Sequence, residues 1–391
     1  MRIAIVSETW LPQVNGVSRT LDELARFLGN CGDDLLLMIP RYRPQAESSA
    51  GCRISSFAGP RLPFYTEIRL PIARPATVRN QLKAFAPDLV HIATEGPLGW
   101  AALRAARGLS LPVATSYHTH FAPYLSAYRL GMLTGTAWSY LRWFHNRADL
   151  TLCPTPSARR QLLDKGFRGV EVWSRGVDSR RFDPAHSDPR LRQDLGIGPQ
   201  ETVLLYVGRL AAEKNLPMLI AAYRLLKGPK RLLLVGDGPL RPVLERRAIP
   251  GVMFAGYRHG AELARFYASA DIFAFPSLTE TFGNVVLEAM ASGLATVGFA
   301  VPGPGDQIVD GETGLLAAQI DAGALAARLQ ELIDERPLRL RLAKAARAFA
   351  VSRSWEEINR QVRMHYLRIS ATKEAGIQPE GVPDIKENES C

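Results

Sequence analysis

Two carboxylates, Glu280 and Glu288, stand with seven residues between them in the stretch 275–293, which reads FPSLTETFGNVVLEAMASG. The apolar run 271–275 before it suits a strand buried on both faces. Pro276 and Ser277 break that strand, a polar loop carries Glu280, and a helix is predicted from Phe282, with Gly283 and Asn284 in its first turn. Val285, Val286, Leu287, Ala289, Met290 and Ala291 make that helix apolar nearly all round, with Glu288 its one charge. A buried carboxylate is costly without a partner. The helix start offers unpaired N–H groups and a positive dipole end, which suit a phosphate. One glutamate ahead of that anchor and one beyond it could hold the two ends of a ligand whose middle is a diphosphate, as in a nucleotide sugar. A structural glutamate paired with a core arginine fits the spacing equally well.

Arg209 and Lys214 lie five positions apart in GRLAAEKN, directly after the apolar run 202–207. A guanidinium fork and a mobile ammonium both suit phosphate oxygens. With the helix start they would neutralise a diphosphate, and such cations stabilise the charge that develops when a nucleoside diphosphate departs. Such a pair is often only surface decoration. Three phosphate-suited features in one half of the chain favour the ligand reading.

These residues need strands to carry them. The runs 2–7, 35–39, 89–92, 112–116, 149–154 and 171–173 alternate with helical stretches, and 202–207, 231–235, 252–254, 271–275 and 295–299 form a second series. The predicted fold is therefore α/β: two Rossmann-like, doubly wound parallel-sheet domains facing a cleft. Ligands in such sheets sit beyond the carboxyl ends of the strands. Gly16 would lie there after the first strand, and His118 and His120 of YHTHF after the fourth. The expected domains are 1–178 and 200–353, joined by a proline-bearing linker over 178–200. A helix over 354–370 returns to the first domain, and a disordered tail covers 371–391. Neither half carries G-x-G-x-x-G, which argues against a nicotinamide cofactor.

The formal charge of +10 over 391 residues is lopsided: the first 190 residues hold 24 Lys and Arg against 15 Asp and Glu, the rest 24 against 23. No nucleic-acid motif accompanies the basic half, so the partner it suits is an anionic membrane surface rather than nucleic acid. A merely solvated basic face is the plainer reading. Segments 61–85 and 121–147 interleave arginines with aromatics, as at a membrane interface, although such aromatics more often fill a core. Asn15, His120, Tyr124, Arg129 and Trp143 are the candidate acceptor- or membrane-facing residues. Cys31, Cys52, Cys153 and Cys391 form no CxxC pair and read as free thiols in a reducing compartment. The N-terminus turns polar too early for a signal peptide, and no run is long enough to span a bilayer. The expected location is cytoplasmic, peripheral on the inner face of the plasma membrane.

SETWLPQVNGVSRTL, YHTHF, GRLAAEKN, VGDGP and FPSLTETFGNVVLEAMASG together resemble glycosyltransferase family 4, retaining enzymes of the GT-B type, over nearly the whole chain before the tail. The resemblance implies that Arg209 and Lys214 bind the donor diphosphate. It places Glu280 and the backbone of Phe282, Gly283, Asn284 and Val285 on the donor sugar and phosphate, and Glu288 on the ribose hydroxyls. Gly16 would approach the phosphate, and His118 the sugar near the reacting carbon. The catalytic set is then His118, Glu280, Arg209 and Lys214. Reaction is by front-face substitution, with the departing phosphate taking the acceptor's proton. The chain has no D-x-D triplet, which fits an enzyme without metal or cofactor, the nucleotide sugar being a substrate. Among family members the motifs are similar to those of bacterial lipid glycosyltransferases, including GDP-mannose-dependent α-mannosyltransferases. Related enzymes use UDP-sugars, with glucosyl, N-acetylglucosaminyl or sulfoquinovosyl transfer. Two departures bear on donor and acceptor: His120, where many relatives have Asp, and the loop AVPGPGD in place of a Gly-Gly run, which would also reach the donor sugar. A glycosidase using Glu280 and Glu288 would leave Arg209 and Lys214 unexplained. A nucleotide-sugar epimerase would act without an acceptor.

Overall fold

The computed structural model describes residues 1–13, 15–42, 51–62, 65–118, 134–280 and 282–374. The first sheet contains β1 (Arg2–Val6), β2 (Asp34–Pro40), β3 (Arg53–Phe57), β6 (Leu89–Ile92), β7 (Val113–Ser116), β8 (Leu150–Cys153) and β9 (Val170–Val172), and a short antiparallel pair, β4 (Arg61–Leu62) and β5 (Tyr65–Arg69), stands apart from it. Its order is β3-β2-β1-β6-β7-β8-β9, all parallel. The second sheet runs β12-β11-β10-β13-β14-β15, also parallel, from β10 (Thr202–Val207), β11 (Lys230–Val235), β12 (Val252–Gly256), β13 (Ile272–Phe275), β14 (Ala295–Phe299) and β15 (Gly314–Ala317).

The apolar runs of the central strands require this arrangement, because helices must cover both faces. In β1, Ile3 and Ile5 pack on one side with Leu21, Leu24 and Trp173, while Ala4 and Val6 pack on the other with Val78, Leu82 and Leu98. Strand β10 divides likewise: Leu204 and Tyr206 face Leu219 and Leu325, and Val203, Leu205 and Val207 face Leu287 and Met290. Strand order reverses direction between β1 and β6 in the first sheet and between β10 and β13 in the second. Those switch points are where open α/β sheets form ligand crevices.

The two crevices face each other. Residues that follow β1 and β8 touch residues that follow β13 and β14: Arg19 lies 3.6 Å from Glu288, and Ser157 N donates to Asp306 at 3.2 Å. Helix Trp355–Glu374 packs on the first domain, where Ile358, Val362 and Tyr366 join Leu21 and Leu24. Arg363 forks onto Asp33 at 2.7 and 3.0 Å.

Several elements differ from the sequence expectation. The expected linker is built into the second domain, where Val177, Phe182 and Ile197 are buried in its core beside the short helix Pro189–Asp194. Much of the basic and aromatic segment 61–85 is an ordinary amphipathic helix, Pro75–Phe85, burying Val78, Leu82 and Phe85. The single helical pattern over 322–350 is two helices, Ala322–Asp334 and Arg336–Val351, because Pro337 fits only a first turn. The last helix runs to Glu374, beyond the expected start of the tail, since Lys373 donates to Leu111 O at 2.7 Å and lies 3.2 Å from Asp149. Among the described residues, Cys31 and Cys153 are free thiols, and no helix is long and apolar enough to cross a membrane.

Candidate active site

The second domain's crevice is lined by two loops from neighbouring strands. The loop after β10 carries Arg209 and Lys214, and the loop after β13 carries Glu280. They are tied together: Asn215 Nδ2 donates to Pro276 O at 3.2 Å, and Thr279 Oγ1 to Glu213 O at 3.3 Å. Lys214 Nζ meets Glu280 Oε1 directly, and each side chain is about one-fifth exposed, at 19% and 20%. Ser277 Oγ lies 3.5 Å from the same carboxylate oxygen. Arg209 is exposed at the exit of β10. Close packing under these loops explains part of VGDGP: a Cβ at Gly236 would fall 2.0 Å from Gly208 O.

The buried helix spans Asn284–Ala291 and so starts two residues later than expected. Gly283 is its N-cap at φ 86°, ψ 67°, a left-handed conformation that glycine adopts at little cost. Phe282 is buried in the core, with its carbonyl held by Gln307 Nε2. Its ring therefore belongs to the core of the second domain. As in any helix, the first-turn N–H groups of Asn284 and Val285 have no intrahelical carbonyl to meet. Opposite them stands Gly16, whose notional Cβ would be 4.0 Å from Asn284 Nδ2. A side chain at position 16 would project into this gap.

Glu288 sits one turn further in and is 7% exposed. Tyr267 Oη donates to Oε2 at 2.9 Å, and Arg19 of the first domain approaches Oε1 at 3.6 Å. Burial raises its pKa, against the pull of Arg19 and the Tyr267 hydrogen bond. The partner of this carboxylate is thus an arginine reaching across the cleft, itself partly exposed, and not a core arginine of its own domain.

His118 is buried at the exit of β7. Arg175 Nη2 lies 2.8 Å from its Nδ1, and the same guanidinium donates to Trp173 O at 2.7 Å and Ser174 O at 3.2 Å. Arginine cannot accept, so Nδ1 accepts and the ring proton is on Nε2. Burial and the Arg175 charge hold the His118 pKa well below its ordinary value. His118 is therefore a neutral hydrogen-bond donor through Nε2. It cannot serve there as a proton acceptor.

Arg175, Arg19 and Tyr267 were not singled out by the sequence reading. Asn15 caps the helix Gly16–Asn30: its Oδ1 accepts from Ser18 N at 2.8 Å and its Nδ2 donates to Thr9 Oγ1 at 2.7 Å. Its amide is thereby spent on local structure. Trp143 is 37% exposed on the helix Thr134–His145. His120, Tyr124 and Arg129 lie outside the described residues. In the loop AVPGPGD, Asp306 accepts from Ser157 N and Oγ of the first domain and from Gly303 N at 3.0 Å. That carboxylate clasps the two domains.

The first domain has its own carboxylate pair. Glu8 follows β1 and Glu95 follows β6, on either side of the switch point. Glu8 is 6% exposed and accepts from Gly99 N at 2.8 Å and Gly96 N at 3.3 Å. Burial, with Glu95 adding to it, pushes the Glu8 pKa up to about 7. Glu95 Oε1 is 3.1 Å from His145 Nε2, and Tyr140 Oη donates to Glu95 O at 2.6 Å.

Two family models match the chain. "Glycosyltransferase Family 4" covers residues 14–181 and "Glycosyl transferases group 1" covers residues 187–349. A GDP-mannose-dependent alpha-mannosyltransferase of Mycobacterium tuberculosis is 35% identical over 374 residues, covering 94% of this chain and 96% of that protein. Sulfoquinovosyl transferase SQD2 of Arabidopsis thaliana is 32% identical over 93% of this chain and 72% of its own length. Among solved structures, Anabaena Alr3699/HepE in complex with UDP and glucose superposes with a TM-score of 0.75 at 20% identity, covering 94% of this chain and 100% of that one.

Proposed function

The chain belongs to glycosyltransferase family 4, and on that premise we propose that it transfers mannose from GDP-mannose, with retention, to a lipid or glycolipid acceptor at the cytoplasmic face of the membrane. The observation that carries this reading is the Lys214–Glu280 pair beside the Asn284 helix start, with Glu288 one turn beyond and Gly16 opposite. A diphosphate at the helix start would have Glu280 on one side and Glu288 on the other. The 35% identity to GDP-mannose-dependent enzymes supports the donor.

In this mechanism Lys214 leaves Glu280 for the donor phosphates and is joined there by Arg209 and the helix N–H groups. Glu280, freed, accepts from the sugar hydroxyls, and Glu288 accepts from the ribose. The bond from the sugar's anomeric carbon to the phosphate oxygen breaks with its electron pair leaving on the diphosphate. The acceptor hydroxyl bonds to that carbon from the same face and passes its proton to the departing phosphate oxygen. Preorganised cations stabilise that charge as it forms. His118, fixed as an Nε2–H donor, orients the sugar and removes no proton. No step calls for a metal ion.

Calorimetric titration with GDP and then UDP, followed by transfer from labelled GDP-mannose to extracted lipid, tests this reading. Binding of GDP alone, an α-linked product and insensitivity to chelator are expected. A UDP preference would overturn the donor and favour the second reading, a UDP-sugar transferase, for which the 32% identity to a sulfoquinovosyl transferase speaks. Sugar release without acceptor or nucleotide would indicate a glycosidase instead.

A further inference from the structure

Two consecutive residues between β14 and β15 connect the first domain to the start of the buried helix. Asp306 accepts from Ser157 N at 3.2 Å and from Ser157 Oγ, both in the first domain, and from Gly303 N at 3.0 Å in its own loop. Ser157 lies in the first turn of the helix Pro156–Asp164, where free N–H groups and the helix dipole favour a carboxylate. Gln307 comes next. Its Nε2 donates to Phe282 O and, at 3.4 Å, to Gly283 O, the two carbonyls just ahead of the helix Asn284–Ala291.

The loop that carries both residues is stiff. Gly305 N donates to Val301 O at 2.9 Å, Asp306 N to Gly303 O at 3.2 Å and Ile308 N to Pro304 O at 3.1 Å. Ile308 is buried beside Gly314, where a Cβ would fall 2.9 Å from its Cγ2. A pull on Asp306 therefore displaces Gln307 as well.

Gln307 is 2% exposed, and its Oε1 is buried without a hydrogen-bond partner. The amide cannot be turned over to pair that oxygen, because both facing groups are carbonyls and only the NH₂ end donates. A leucine here would leave no buried acceptor unpaired, which is a costly state. The role of the amide is therefore at its Nε2 end. A peptide unit is planar and trans, so its N–H points opposite to its carbonyl. Holding Phe282 O and Gly283 O from one side fixes the directions of the Gly283 and Asn284 N–H groups on the other.

We propose that Asp306 and Gln307 are paired positioning residues: the first domain grips Asp306, and Gln307 converts that grip into the direction of the Gly283 and Asn284 N–H groups. The helix start then keeps its working geometry only while Ser157 is in place across the cleft. Neither positioning residue needs to touch the donor. That these N–H groups meet a nucleoside diphosphate rests on the transfer reading above; the coupling of Ser157 to the helix start does not.

NMR spectra of the full chain labelled with ¹⁵N-glycine and ¹⁵N-asparagine, without nucleotide, test the coupling. Ser157→Ala should move the Gly283 and Asn284 amide resonances. Ser157→Thr, which keeps the hydroxyl, should leave them nearly in place. Calorimetry with GDP tests the consequence. Gln307→Leu and Ser157→Ala should each weaken GDP binding about ten-fold, the loss of one hydrogen bond at a charged or strongly oriented group. In the double variant the Ser157→Ala loss should disappear, since its route to the helix is already cut. Unmoved Gly283 and Asn284 resonances in Ser157→Ala, or additive losses in the double variant, overturn the coupling. Wild-type GDP affinity in Gln307→Leu, with only a lowered unfolding midpoint, overturns the positioning role of Gln307. If the wild type binds neither GDP nor UDP while the resonances still respond to Ser157→Ala, the transfer reading fails and the coupling stands.

Discussion

The two switch points are built alike and finished in opposite ways. Between β10 and β13, Lys214 faces Glu280, opposite charges left about one-fifth exposed. Between β1 and β6, Glu8 and Glu95 are like charges, both buried. On the proposed reading the first arrangement is an ion pair that the donor diphosphate would separate, each partner finding a better complement in the donor. The second relieves repulsion by keeping a proton: Glu8 is held neutral up to about pH 7 while Glu95 leans on His145. Placement at a switch point therefore does not fix what a carboxylate does. Its neighbours decide whether it is offered to a ligand or absorbed into the domain.

The strongest way to break this contrast is to remove a charge from the exposed pair. Lys214→Ala should lower turnover by about 10²–10³-fold, the range for losing one preorganised contact to a developing charge. GDP affinity should fall far less, because the contact strengthens as the phosphate leaves. Steady-state kinetics with calorimetry separates the two effects. Equal losses in turnover and GDP affinity would mean that Lys214 binds the ground state only.

The buried pair should behave differently, through stability rather than rate. Glu8 has an ordinary pKa of 4.5 when unfolded and about 7 in the fold. The folded domain thus disfavours the charged form. Its contribution is fully present below pH 4.5 and is lost as pH rises toward 7, by up to about 3 kcal/mol. Glu8→Gln should remove that slope, so its stability relative to wild type rises with pH while transfer at saturating substrate stays near wild type. Denaturant unfolding across the range measures it. A constant wild-type-to-variant difference would place the Glu8 proton elsewhere.

The same difference explains what could be read from the chain. The donor side falls in two short local runs, Arg209 with Lys214 and Glu280 through Glu288, so residue type and spacing mark each run. The meeting of Lys214 with Glu280 across 66 positions nevertheless depends on β10 pairing with β13. The first domain assembles its polar groups from distant segments. Arg175 reaches His118 across 57 positions and Glu8 reaches Gly99 across 91. Those meetings depend on which strands become neighbours, and no local pattern carries that. Local errors have local causes. Phe282 continued the apolar helical face and hid the fact that Gly283, in a left-handed conformation, caps the helix. Strand β3 (RISSF) is a half-polar edge strand without a strong period.

Arg175 is the first domain's counterpart to Lys214, a buried cation 2.8 Å from His118, and on the proposed reading it acts by positioning that ring. Arg175→Met should lower turnover about ten-fold, one hydrogen bond's worth, with little change in donor KM. The distinguishing readout is ¹⁵N NMR of the His118 ring. Wild type should keep the proton on Nε2 throughout neutral pH, whereas the variant should populate both tautomers. Arg175→Lys, which still donates to Nδ1, should restore the single tautomer. An unchanged spectrum in Arg175→Met would leave the arginine a purely structural role.

Glu288 belongs to the donor side but is buried like Glu8, and it sharpens the comparison most finely. Burial raises its pKa in the free protein, while Arg19 and Tyr267 favour the charge. Ribose hydroxyls donating to it would favour the charged form further, so nucleotide binding should expel any proton it carries. GDP affinity is then expected to fall several-fold as pH is lowered into the window just above the ordinary carboxylate pKa, and to be flat well above it. Glu288→Gln should bind more weakly at neutral pH and lose the pH dependence. Arg19→Gln should shift the same fall to higher pH, because the cation that opposes burial is gone. Calorimetry in buffers of different ionisation enthalpy counts the protons directly. If GDP binding releases none at the acid end, Glu288 is not the ribose ligand, and its resemblance to Glu8 is the better guide to its role.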